Sequence, residues 1–82
     1  MKQIRLRCLF EESEEFIAKL VIVKGYKIVI RKIIDPMAII TSNHHLTGEQ
    51  YDIIGHIEEI DKLIAYLKSS DYDIEIYEKE QV

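Results

Sequence analysis

Residues 51–77 constrain the fold of this chain more than any other stretch. They read Tyr51-Asp52-Ile53-Ile54-Gly55, then a run from His56 through Leu67, then Asp71-Tyr72-Asp73-Ile74-Glu75-Ile76-Tyr77. A short apolar segment closed by glycine, a helix-period segment and a strict alternation follow one another. Strand, helix and strand in that order make one half of a split βαβ sandwich. A competing reading stands beside it. Thr47 with Gln50 matches a capping box, and Leu46 with Tyr51 matches a hydrophobic staple. One helix over 48–69 would then place Ile53, Ile54, Ile57, Ile60, Leu63, Ile64 and Leu67 on one face. Against it, Gly55 costs about 1 kcal/mol inside a helix. Glu58 and Glu59 also suit the first turn of a helix that begins near Ile57.

The first half of the chain has its own alternation. Over residues 3–10, Ile4, Leu6, Cys8 and Phe10 share one face, with Arg5 and Arg7 opposite, as in a half-buried strand. Glu11, Glu12, Glu14 and Glu15 surround Ser13, a candidate N-cap, and acidic residues favour the positive end of a helix. Phe16, Ile17, Leu20, Val21 and Val23 then fit a helix over 13–24 with Gly25 as its C′ residue. The β-branched run at 21–23 leaves a hairpin turning at Gly25 as the alternative. Residues 27–34 form a strand under either reading. Asp35-Pro36 is a turn signal, residues 37–41 can extend a strand, and residues 42–45, which include His44 and His45, make a polar tip.

The full expectation is a strand at 3–10, a helix at 13–24, and strands at 27–34 and about 50–54. A helix at 57–69 and a strand at 72–78 follow, with residues 78–82 a frayed tail. This is an α+β chain in the βαββαβ order of a ferredoxin-like sandwich. Its two helices would lie on one face of an antiparallel four-stranded sheet. The alternative is a β-meander followed by one long helix, 48–69, and a final strand. No repeat or linker divides the 82 residues, so a single domain is expected.

Composition excludes several function classes. The net charge of −4 argues against nucleic acid, which calls for clustered Lys and Arg on a basic domain. No apolar run approaches the length that spans a bilayer and no leader pattern opens the chain, so no membrane insertion and a cytoplasmic setting are expected. A chain this short buries only about 60% of its unfolded surface. Its 48% hydrophobic and 32% charged residues, with three Gly and one Pro, point to a compact thermostable protein.

The arrangement resembles the NIL domain, a ferredoxin-like relative of amino-acid-sensing ACT domains. The likeness is carried by Ile4-Arg5-Leu6 and by Ile17-Ala18-Lys19-Leu20-Val21 leading to Gly25-Tyr26-Lys27-Ile28. Gly55-His56-Ile57-Glu58-Glu59-Ile60, Ile64-Ala65-Tyr66-Leu67 and Asp73-Ile74-Glu75-Ile76 continue it over nearly the whole chain. The resemblance implies a non-catalytic regulatory module. Such domains follow methionine-importer ATPases, where they bind the amino acid, and some stand alone. One departure matters. ACT-like sensors commonly place glycine in the loop after the first strand, opening backbone N–H groups to a ligand carboxylate. Here that loop has no glycine and four glutamates, which repel such a group.

The candidate metal residues are Glu11, Glu12, Glu14 and Glu15, since Ca²⁺ takes several carboxylate oxygens. A solvated helix start, favoured by the macrodipole, explains them better, since consecutive glutamates rarely converge on one ion without a shaped loop. Asp71, Asp73 and Glu75 make a second acidic patch, read as the solvent face of the last strand. His44, His45 and His56 raise a zinc or copper site, but adjacent histidines on a strand point apart and a closed site needs four ligands. Cys8 alternates with Ile4, Leu6 and Phe10 and reads as a small core residue. With no glycine-rich phosphate loop and no nucleophile motif, the chain is expected not to be an enzyme and to carry no cofactor beyond a divalent cation. Tyr72 is placed inward and Tyr77 outward, and exposed aromatics on an open sheet suit a homodimer or a partner protein. Three functions follow. One is a dimeric regulatory module sensing a small metabolite at its interface. The others are a calcium-binding protein and an interaction subunit without ligand.

Overall fold

The computed structural model describes residues 1–34 and 48–79. The described residues form six elements in succession: β1 (Lys2–Cys8), α1 (Ser13–Ile22), β2 (Ile28–Ile33), β3 (Glu49–Gly55), α2 (Ile57–Ser69) and β4 (Ile74–Lys79). The four strands form one antiparallel sheet in the order β2-β3-β1-β4. This α+β arrangement of two helices and a four-stranded antiparallel sheet is compatible with a ferredoxin-like fold.

Gly55 decides between the readings of the second half. It ends β3 and is followed directly by the N-cap of α2, so the single helix over 48–69 does not form. A Cβ at Gly55 would sit 3.1 Å from Ile28 Cγ2 and 3.2 Å from the Lys27 carbonyl oxygen, where the start of β2 crowds the end of β3. The hairpin reading of the first half fails too. α1 is a helix closed by Val23, and the Tyr26 N–H donates to the Leu20 carbonyl at 3.0 Å across Gly25, whose φ of 74° lies in the left-handed region. Gly25 therefore stands two residues past the cap instead of at C′. Val21 and Val23, which the periodicity places on the apolar face of this helix, are exposed, as is Ile22.

The core lies on one face of the sheet. Ile4, Leu6 and Cys8 of β1 and Tyr51 and Ile53 of β3 meet Ile17 and Leu20 of α1. Ile60, Leu63, Ile64 and Leu67 of α2 complete the cluster at the i, i+3, i+4, i+7 spacing of a buried helix stripe. Each fully buried Ile or Leu contributes about 1.5–3 kcal/mol relative to exposure.

Three local expectations change. β1 stops at Cys8, not residue 10, although the Leu9 N–H still donates to the Asp73 carbonyl at 2.9 Å in the register of the β1–β4 pair. Ser13 is not the N-cap. That position belongs to Glu12, held at φ 62°, and Ser13 begins the helix with its side chain turned into the core. β4 starts at Ile74, leaving Tyr72 before it, where its ring lies 4.7 Å from Phe10 and 4.5 Å from Phe16. The expected capping box and staple at 46–51 rest partly on residues outside the described set. The extension at 37–41 and the polar tip at 42–45 lie wholly outside it.

Candidate functional site

Two polar constellations form on opposite faces of the sheet. The first sits under the start of α1. β-strand parity puts Glu49 and Tyr51 on the core face, and the pairing Cys8↔Glu49 sets them beside the end of β1. The Ser13 hydroxyl donates to Glu49 Oε2, and the Tyr51 hydroxyl donates to the same oxygen at 2.7 Å. Lys32 of β2 pairs with Glu14 and reaches Glu49 at 3.7 Å. The Ser13 and Tyr51 hydroxyls, with Lys32 nearby, hold the Glu49 carboxyl below the usual glutamate range. Burial pushes the Tyr51 phenol up, and burial with the Glu49 charge nearby pushes the Cys8 thiol up to about 12. A thiol so perturbed is not a nucleophile at neutral pH.

A depressed carboxyl has a definite linkage. Stability from ionised Glu49 is present above its unfolded pKa, near 4.3, and is lost as pH falls through the lower folded value. Urea denaturation of wild type and Glu49→Gln should therefore differ at pH 7 and converge below the ordinary glutamate range. A gap that stays constant from pH 7 to pH 2 would show that the charge contributes nothing. Because Glu49 keeps part of its surface in water, the gap should stay near 1 kcal/mol.

The second constellation lies on the face that the helices leave uncovered. The register aligns three cross-strand rows there: Val29–Ile54–Gln3, Arg31–Asp52–Arg5–Tyr77 and Ile33–Gln50–Arg7–Glu75. In the middle row Asp52 is only 2% exposed, although it stands on the open side. Arg5 covers it with Nε 3.0 Å and Nη2 3.3 Å from its two oxygens, and Arg31 Nη2 approaches at 3.1 Å. Arg7 donates to Glu75 at 2.9 Å, and the Tyr77 hydroxyl donates to the other Glu75 oxygen at 2.8 Å. Val29 and Ile54, in the row on the other side of Asp52, and Tyr77, at the end of its own row, remain exposed.

One of the proposed metal residues, Glu14, joins the first constellation through Lys32. Glu11 and Glu12 are exposed on the turn into α1, Glu15 is exposed in its first turn, and Glu14 pairs with Lys32. Among the described residues, no group of three or more His, Cys, Asp or Glu side chains is placed to share a metal ion. His56 is the exposed N-cap of α2, and His44 and His45 lie outside the described residues. The contact of Leu9 with Asp73, and the packing of Phe10 and Phe16 on Tyr72, bring the two acidic stretches to the same end of the molecule. Asp71 and Asp73 precede β4, while Glu75 belongs to the open face.

Compared with known proteins, the chain matches no family model, no curated protein and no solved structure. No helix among the described residues is long and apolar enough to cross a membrane.

Sequence reading missed Glu49, Asp52 and Arg31 as interacting groups. The available signal was parity: Glu49 and Tyr51 alternate with Asp52 and must face opposite sides once 49–55 is a strand.

Proposed function

We propose that this chain is a non-catalytic regulatory module with the split βαβ order of a ferredoxin-like sandwich, related to the NIL domain it resembles. It pairs with a second copy through its uncovered sheet face and holds a small metabolite at that seam. One observation carries the reading: the open face has a buried carboxylate under two arginines, with exposed Val29 and Ile54 in the next row and exposed Tyr77 at the end of its own. Apolar side chains around satisfied polar groups are the make-up of an interface core, whereas a free surface keeps its charges in water. The face carries both signs in adjacent rows, so a two-fold axis through it can set arginine against carboxylate.

Light scattering together with a thermal-shift panel of amino acids and divalent cations tests this. A ligand at a hundred times its Kd adds about 2.7 kcal/mol. The expected result is a dimer that Ile54→Lys splits, and a rise in Tm with one amino acid. A monomer at high concentration sinks the reading. A calcium response would instead favour the glutamates at 11–15, and a dimer silent to the panel an interaction subunit without ligand.

A further inference from the structure

The two outer strands of the sheet carry opposite charge. β2 contains Arg31 and Lys32 and no acid. β4 contains Glu75 and Glu78 with a lysine at its last position, and Asp71 and Asp73 lead into it. Among the described residues, the outer edges of both strands pair with no further strand. We propose that copies of this chain join β4 edge to β2 edge, extending one antiparallel sheet from molecule to molecule. This inference rests on strand order and edge charge, and it does not depend on pairing through the open face.

Direction comes first. Each strand is antiparallel to its neighbours, and the sheet has an even number of strands. The two edge strands therefore run in opposite directions. A second copy in the same orientation brings its β2 antiparallel to the first copy's β4, with the helices of both copies on the same side.

Register comes next. Residues directly opposite in an antiparallel pair share a face. Ile28 and Ile30 of β2 and Ile74 and Ile76 of β4 pack against the core, so inward must meet inward. Setting Ile30 opposite Ile76 places Arg31 opposite Glu75 and Val29 opposite Tyr77. Arg31 is 77% exposed and its guanidinium has donors beyond the one given to Asp52. Opposite charges directly across strands are favourable, and like charges are unfavourable.

Charged residues on edge strands ordinarily keep edges apart. Here the same charges oppose β2 against β2 and β4 against β4, and favour β2 against β4. Such a contact is heterologous, so it builds rings or filaments and does not stop at two copies. A single strand edge is a small interface, so the association is expected to be weak and to need high concentration.

Sedimentation equilibrium in low salt, from micromolar to millimolar protein, gives the test. The mass should rise beyond a dimer, also in Ile54→Lys, whose change lies on the central strand β3. Arg31→Glu alone and Glu75→Arg alone should each weaken assembly roughly tenfold. Mixing the two variants should restore it, because each then offers the other a complementary edge. A mass that stops at a dimer, single variants that assemble like wild type, or a mixture that stays dissociated would overturn the proposal. Should Arg31→Glu fail to fold beside Asp52, amide exchange of the wild type decides. Protection in residues 28–33 and 74–79 must increase with concentration, and protection that stays constant overturns the proposal.

Discussion

Asp52→Ala is expected to destabilise the protein by about 2–3 kcal/mol. The carboxylate is almost wholly buried, and three charge-assisted hydrogen bonds reach it from Arg5 and Arg31. Removing one partner of a buried ion pair costs about 3–5 kcal/mol when the other ion is left buried and uncompensated. Here the survivors are arginines with access to water, 34% exposed for Arg5 and 77% for Arg31, so the cost falls below that range. The asymmetry makes the prediction sharp. Arg31→Ala leaves Asp52 with the two bonds from Arg5 and should cost under about 1 kcal/mol, as for an exposed pair. Arg5→Ala leaves the buried carboxylate with Arg31 and should fall between. Urea denaturation with equal m values measures all three. An Asp52→Ala variant within about 0.5 kcal/mol of wild type would mean that the face is merely covered. The pair would then hold nothing in place.

These side chains also show what sequence can reveal. Strand β1 was legible because Ile4, Leu6 and Cys8 alternate with Arg5 and Arg7, and the structure buries the first three and keeps the arginines on the other face. The break at Gly55 was legible as a conflict between a good helix start and a poor helix interior. The partner of Arg5 was not, because Asp52 lies 47 positions away and meets it only through the antiparallel register of β1 and β3. Ser13 was misread for a related reason. Hydroxyl residues before a helix usually cap it, but a cap is a local choice, and here a tertiary bond to Glu49 competes for the same oxygen. Tyr72 continued the alternation of the last strand in sequence. The rings of Phe10 and Phe16 hold it outside the sheet instead, an attraction that no local pattern records.

Gly48→Ala is expected to cost about 3 kcal/mol, and to act through the site under α1. Gly48 precedes β3 with φ at 67°, a left-handed conformation that costs an L side chain about 1–2 kcal/mol. Space adds to strain. A Cβ there would lie 2.7 Å from the Cys8 carbonyl oxygen and 2.7 Å from Leu9 Cδ2. The leucine tip can rotate away, but the carbonyl belongs to the last residue of β1, whose partner is Glu49. Relief therefore has to come from moving the β1–β3 ladder at the pair that positions Glu49 against Ser13 and Tyr51. Two readouts separate this from a simple turn effect. Stability should fall by more than left-handed strain alone explains, and the pH-dependent contribution of Glu49 should shrink with it, since both hydroxyl bonds depend on that register. Gly25→Ala supplies the control. Gly25 also has positive φ, but a Cβ there meets nothing within 4 Å, so its cost should stay at the strain alone, about 1–2 kcal/mol. Equal losses for the two glycines would mean that the close approach to Cys8 does not constrain the strand pair.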